Sequence, residues 1–166
     1  MQTGTRPTIV VGVSGSRASK EALRWAADEA RRRDADVRAV LCWSAESRAY
    51  YAPPHGPQEN GSHEHARRLA ATLREILGGD EPPGLTTEVV EGTAERALIA
   101  RSAGADLLVL GSTSSALAGG AVGPVVRACL YRAHCPVVVI GPSGDGHQDL
   151  PSHRGRQPHQ RLATAS

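Results

Sequence analysis

Ala105-Asp106-Leu107-Leu108-Val109-Leu110 runs straight into Gly111-Ser112-Thr113-Ser114-Ser115, and then through Ala116-Leu117-Ala118-Gly119-Gly120-Ala121 to Val122-Gly123-Pro124. The opening run is apolar and of strand length, the pattern of a parallel strand buried on both faces. The residues after it are small and rich in hydroxyls, which predicts a loop. Val122 to Ala133 then returns to helical spacing, with Val122, Val126, Cys129, Leu130 and Ala133 in register. Gly123 suits the cap and Pro124 the first helical position, where a missing N–H costs nothing. Ligands of open α/β sheets bind outside the carboxyl ends of such strands. Backbone N–H groups of a small-residue loop can approach an anion there, and the next helix adds its dipole. The stretch therefore predicts a phosphate-sized site.

The flanking segments alternate strand and helix. Thr8 to Val13 (TIVVGV) is apolar and rich in β-branched residues, a buried first strand followed by Ser14-Gly15-Ser16. From about Ser16 to Arg33, Ala22, Leu23, Ala26, Ala27 and Ala30 form one helical stripe, with Ser16 or Ser19 able to cap its start. Val37 to Trp43 reads as a second strand. Ser44 to Gly61 is a long loop without periodicity, a mobile or functional segment by its length. His63 to Leu77 is helical and stopped by Gly78-Gly79. Leu85 to Val90 alternates, as an edge strand does, and Thr93 can cap a short helix reaching about Ala103. Val137-Val138-Val139-Ile140 is the last strand. The order β-α-β-α-β-α-β-α-β predicts one open five-stranded parallel sheet with helices on both faces. The expected divisions are an N-terminal arm over 1–7, a domain over 8–141 and a polar tail over 142–166. That tail lacks the apolar content to offset ordering entropy and is expected to be disordered.

Composition narrows the function. The chain has 166 residues, enough for one domain with a substantial core. Aromatics are 3% and Phe is absent, so that core must be aliphatic. A net charge of +2 with both signs interspersed gives no electrostatic case for nucleic acid. No apolar run approaches the roughly 20 residues of a membrane span, and no signal-peptide core precedes the first strand. Cys42, Cys129 and Cys135 form no C-x-x-C pair and read as reduced thiols, which with the rest points to the cytoplasm.

Taken together, these pieces resemble a universal stress protein domain over roughly residues 8 to 140. The matching segments are Ile9-Val10-Val11-Gly12-Val13 with Ser16 and Ser19, Glu91-Gly92-Thr93-Ala94, Ala105 to Ser112 with its loop, and Cys135-Pro136-Val137-Val138-Val139. The resemblance implies strand order 3-2-1-4-5, of the Rossmann-like, adenine nucleotide alpha hydrolase-like kind, with a crevice between strands one and four. It also implies a stress-linked regulatory role and a homodimer paired through Val137, Val138, Val139 and Ile140. One branch of the family binds ATP through a loop of Gly, two residues, Gly, nine residues, then Gly with Ser or Thr. Here the first Gly is Gly111, the second position holds Ser114, and the final Gly is Gly123, one residue early and followed by Pro124. Ser14 stands where that branch has an acidic residue. Ser takes positive φ less freely than Gly, and Pro124 removes both a backbone donor and a hydroxyl. ATP or another adenine nucleotide is accordingly expected to contact Ser14, Trp43, Gly111, Ser112, Ser114 and Gly123, with binding rather than catalysis. A side chain placed at Gly111 would stand where phosphate approaches. Trp43 has two readings, flanking an adenine or covering the core. The alternative is a nucleotide-free dimeric interaction module of the same family.

Other chemistry is weaker. Ser14-Gly15-Ser16-Arg17-Ala18-Ser19 partly resembles the phosphate loop of ATP pyrophosphatases, but lacks its second Gly and its Asp; it reads first as an ordinary capped turn, and an ATP-pyrophosphatase-like enzyme using the Ser14–Ser19 loop is the third alternative. Gly at 16 would be needed for a nucleophile elbow, and Ser sits there. His55, His63 and His65 do not have helical metal-ligand spacing, so no metal set is identifiable. Arg31-Arg32-Arg33 and Arg67-Arg68 read as solvated faces, with too few aromatics nearby to stack bases. No partner protein can be assigned from these runs.

Overall fold

The structure, a computed structural model, describes residues 6–44, 61–112 and 122–141. Five strands, β1 (Thr8–Gly12), β2 (Asp36–Trp43), β3 (Thr86–Glu91), β4 (Leu107–Gly111) and β5 (Val137–Ile140), form one sheet in the order β3-β2-β1-β4-β5. Every pairing is parallel. The helices are α1 (Arg17–Arg33), α2 (Gly61–Leu77), α3 (Ala94–Ser102) and α4 (Pro124–Arg132). Burial follows strand position. The run Ile9–Val11 of β1 and Leu107–Leu110 of β4 is buried, whereas β3 and β5 at the edges are half-buried or exposed.

Side-chain alternation divides the core in two. Ile9, Val11, Val37, Ala39, Leu41, Leu107 and Val109 face α1 and α2, meeting Ala22, Leu23, Ala26 and Ala30 of α1 and Leu69, Leu73 and Leu77 of α2. On the other face Val10, Val40, Leu108 and Leu110 meet Leu98 of α3 and Val126 and Cys129 of α4. Packing α1 through alanines lets its backbone lie close to the sheet, which is how a core without Phe closes. Apolar area removed from water stabilises each layer at about 25 cal/mol per Å².

Local chemistry sets the boundaries. Ser16 is the N-cap of α1, its hydroxyl accepting from Ser19 N at 3.2 Å. Gly123 caps α4 and Pro124 takes its first turn, as the sequence predicts, so α4 starts later than Val122. Thr93 occupies the cap of α3 without a side-chain cap hydrogen bond. β4 begins after Asp106 rather than at Ala105, because Asp106 is spent on a reciprocal clamp. Its carboxylate accepts from Thr8 N at 2.8 Å, and its own N–H donates to Thr8 O at 2.9 Å. Arg6 forms ion pairs with Asp34 and Asp36, and Asp36 N donates to Pro7 O at 2.7 Å, so residues 6 and 7 lie against the α1–β2 turn. Among the described residues no helix is long and apolar enough to cross a membrane. The 44–61 loop and the tail fall largely outside the described residues.

Candidate functional site

The strand order reverses direction between β1 and β4: β2 and β3 lie to one side of β1, and β4 and β5 to the other. Connections leaving β1 and β4 therefore diverge at their carboxyl ends and open a crevice there. A cleft of about 320 Å³ occupies this position, on the α3–α4 side of the sheet. Its floor is apolar, made by Val40, Leu98, Leu110 and Val126. Its rim carries Ser14, Ser16, Ser112 and the first turn of α4 at Gly123 and Pro124.

The rim is built from the turn after β1. Gly15 holds φ +85°, a conformation costly for a residue with a Cβ, and this folds Ser14 back over Ser16. The two hydroxyls lie 3.1 Å apart, and Ser16 N donates to Ser14 Oγ at 3.4 Å. Beneath them Ser19, which is buried, accepts from Ser14 N at 3.2 Å and donates to Ser16 O at 2.9 Å. The turn is thus internally hydrogen-bonded, with Ser14 itself exposed. On the opposite wall Ser112 is buried, and its N–H donates to Ile140 O at 2.8 Å, carrying the β4–β5 ladder one residue past β4.

Ser14, Gly111, Ser112 and Gly123 are brought together around the cleft. Ser114 lies outside the described residues. Trp43 is placed elsewhere: its ring stacks on His65, with centroids 5.1 Å apart and planes at 23°, and it packs against the core layer of α1 and α2. Alternation along β2 accounts for this, since Leu41 and Trp43 point to the α1–α2 face while Val40 and Cys42 point to the cleft side. Of the two readings of Trp43, core cover is the one its placement matches.

Gly111 also differs from expectation in the direction that matters. A Cβ built there would lie 2.3 Å from Ala18 C, 2.4 Å from Ala18 O and 2.5 Å from Ser19 N. The bare Cα of Gly111 is required by the close approach of β4 to the backbone of α1, and a side chain would enter that contact rather than the cleft. Position 111 shares the parity of Val109, which faces α1.

Sequence reasoning missed Cys42, Val40, Leu98 and Val126 as cleft residues. The signal was the same alternation, which needs one residue of known facing to anchor it. Burial raises the Cys42 thiol pKa, and the Arg101 guanidinium pulls it back in part. Arg101 is engaged by Glu88 of β3, whose carboxyl it holds below the usual range by hydrogen bonding. Among the described residues no group of His, Cys, Asp or Glu is arranged to hold a metal ion.

Comparison with known proteins agrees with this architecture. The universal stress protein family model matches residues 5–141. Universal stress protein Rv3134c of Mycobacterium tuberculosis is 34% identical over 139 residues, covering 81% of this chain and 48% of that protein. The chain spans about half the length of the curated relatives it matches. Among solved structures, universal stress protein UspA from Lactobacillus plantarum aligns with a TM-score of 0.62 at 23% identity, covering 82% of this chain and 99% of that one. A universal stress protein in complex with cAMP aligns at 0.54 and 21% identity over 81% and 95% of the two chains. The Archaeoglobus fulgidus universal stress protein in complex with dAMP aligns at 0.55 and 20% identity, over 82% and 98%. At these identities the solved structures speak to the fold, and the family model carries the assignment: the chain belongs to the universal stress protein family.

Proposed function

We propose that this chain is a regulatory domain that binds an adenine nucleotide in the cleft between the carboxyl ends of β1 and β4, without turning it over. The observation that carries the reading is the cleft itself, a hydroxyl rim over an apolar floor at the point where the strand order reverses. An apolar floor accepts a base and a rim of hydroxyls and helix N–H groups accepts sugar and phosphate oxygens. Two proteins of the same fold are complexes with cAMP and dAMP, which supports the same ligand class here. The described lining holds no His, Asp, Glu or Lys to act as a positioned base, which favours binding over catalysis.

The experiment is to denature the purified protein, identify any released small molecule by mass spectrometry, and titrate the stripped protein with adenine nucleotides by calorimetry. Released nucleotide or saturable heat is the expected result. No carried nucleotide and no heat at millimolar ligand would refute the reading and leave the interaction module.

A second reading has its own observation. β5 is an edge strand of four β-branched residues, and nearby on α4 Leu130 is 50% and Tyr131 83% exposed. We propose that the chain pairs with a second copy through Val137–Ile140, an edge ready for β-addition. Light scattering at micromolar protein should give twice the chain mass of 17.4 kDa. A monomer at all concentrations would refute it.

A further inference from the structure

We propose that the outward face of α4 docks an acidic segment of another protein, one that sets carboxylates on both sides of an apolar side chain. Among the described residues only two large apolar side chains are exposed, and they are consecutive on this helix: Leu130 is 50% and Tyr131 83% exposed. Both tryptophans, by contrast, pack against the α1–α2 core layer. The inward side of α4 is already occupied, since Val126 and Cys129 are buried in the core between the sheet and α3. A solvent-facing Tyr beside Arg is the composition of an interface centre rather than of an ordinary solvated helix.

Charge decides what meets this face. Arg127 precedes Leu130 by three residues and Tyr131 by four, so it shares their side of the helix. Arg132 follows on the other flank of Tyr131, about 7.5 Å beyond Arg127 along the axis, and the two cations bracket the apolar pair. Both arginines are exposed, and neither forms an ion pair among the described residues. The chain has 17 acidic residues, yet none lies between Leu107 and Gly144, the stretch that contains β4, α4 and β5. Burial first, and the Glu95 carboxylate of α3 second, raise the Cys129 thiol pKa. Cys129 is fully buried, so that carboxylate acts on the inner side of α4 and not at Tyr131.

Other occupants fit less well. A second copy meeting this face about a two-fold axis would set Arg127 and Arg132 against the same cations. Pairing of β5 edges uses backbone groups and leaves both charges unanswered. Recognition of anionic membranes draws on clusters of about 4–8 Lys or Arg, and an interfacial helix needs a broader apolar face than two side chains supply. An acidic segment answers both features together. Its carboxylates take charge-assisted, bidentate hydrogen bonds from the guanidinium groups, and its apolar residue covers Leu130 and Tyr131. None of these four residues lines the cleft, so the proposal holds whatever binds there.

The test is fluorescence anisotropy of the full chain with a labelled synthetic helical peptide carrying Leu on one face and Glu beside it. Two controls replace its Leu by Ser or its Glu by Gln, and vesicles containing phosphatidylserine form a separate arm. The acidic, apolar peptide is expected to bind at least about tenfold more tightly than either control, and more weakly as salt is raised. Arg127→Glu and Tyr131→Ser should each weaken it about tenfold with the melting temperature unchanged, because both side chains face solvent. Arg24→Glu, an exposed arginine of α1 on the opposite face of the sheet, should leave the affinity as it is. Equal binding of the Ser control, or an equal loss in Arg24→Glu, would reduce the effect to general charge attraction and overturn the proposal. So would the absence of binding to any peptide. Vesicle binding abolished by Tyr131→Ser would assign the face to a membrane instead. A dimer that Tyr131→Ser converts to monomer in light scattering would assign it to a second copy. Either result overturns the acidic-segment reading.

Discussion

Replacing Gly111 with Ala tests the packing on which the cleft depends. The added Cβ would meet Ala18 C at 2.3 Å and Ser19 N at 2.5 Å, about an ångström inside van der Waals contact. Both are backbone atoms, so no rotamer change relieves the clash. The helix they belong to cannot simply shift, since Ala18, Ser19, Ala22, Leu23, Ala26 and Ala27 are all buried against the sheet. Overpacking of well-filled cores costs about 1–3 kcal/mol, and an unyielding backbone contact puts Gly111→Ala at about 3 kcal/mol or above. Domains of this size are stable by about 5–15 kcal/mol, so a large share of stability is at stake. Urea unfolding followed by the fluorescence of Trp25 and Trp43 would show it as a midpoint lowered by about 1–2 M. Gly12→Ala is the matched control. Its Cβ would meet the flexible side-chain ends of Leu110 at 3.0 Å and Leu98 at 3.3 Å, which can move aside, so about 1 kcal/mol is expected. If Gly111→Ala unfolds at the same urea concentration as the parent, β4 does not lie against α1 as described, and the cleft wall loses its footing.

Two further outcomes follow from ionisable groups. Burial pushes the Cys129 thiol pKa from 9.0 up to about 11, so it should resist iodoacetamide at neutral pH until urea is added, which peptide mass spectrometry reads directly. Because its pKa is raised in the fold, its contribution to stability is complete below the ordinary thiol value and is lost as pH climbs toward about 11. A Cys129→Ala variant should therefore show a flatter alkaline limb, and parallel limbs would refute the assignment. Glu88 is the opposite case: Arg101 lowers its pKa, so the pair stabilises above the ordinary carboxylate range and fails as pH falls through the lowered value. Both side chains are 32% exposed, so Glu88→Gln should cost no more than about 1 kcal/mol at neutral pH. The variant should lose part of the acid slope in stability measured against pH. An unchanged slope would mean that the pair contributes nothing measurable.

The architecture was legible in the sequence because apolar runs and burial coincide where it matters. β1 and β4 read as doubly buried and are central, while the alternation of Leu85–Val90 marks the strand found at the edge. Ser16, Gly123 and Pro124 announce their helix starts through capping chemistry that acts within a few residues, which is why a linear sequence can reveal it. Facing was the part that could not be read. A strand's period shows which residues share a side but not which side holds the ligand. Proximity to the strand end therefore leaves Trp43, one residue from Cys42, with two readings, and only its packing against the α1–α2 layer separates them. The Arg6 contacts with Asp34 and Asp36 were invisible for a different reason, being long-range meetings that no local pattern encodes.

The same distinction changes what the motif positions are worth as evidence for a ligand. Gly111 is demanded by its contact with Ala18 and Ser19 whether or not anything binds, and Pro124 fits the first turn of α4 for reasons of helix geometry alone. A loss of nucleotide binding in a Gly111 variant would thus report a displaced α1 before it reported a missing phosphate contact. The diagnostic residues are those whose exposed atoms have no comparable packing duty. Ser14 is the clearest: exposed, on the cleft rim, and bonded within its own turn to Ser16. Replacing it with Ala removes one hydroxyl from a solvated turn, so stability should change by less than about 1 kcal/mol. Any larger change in nucleotide affinity then belongs to the site and not to the fold.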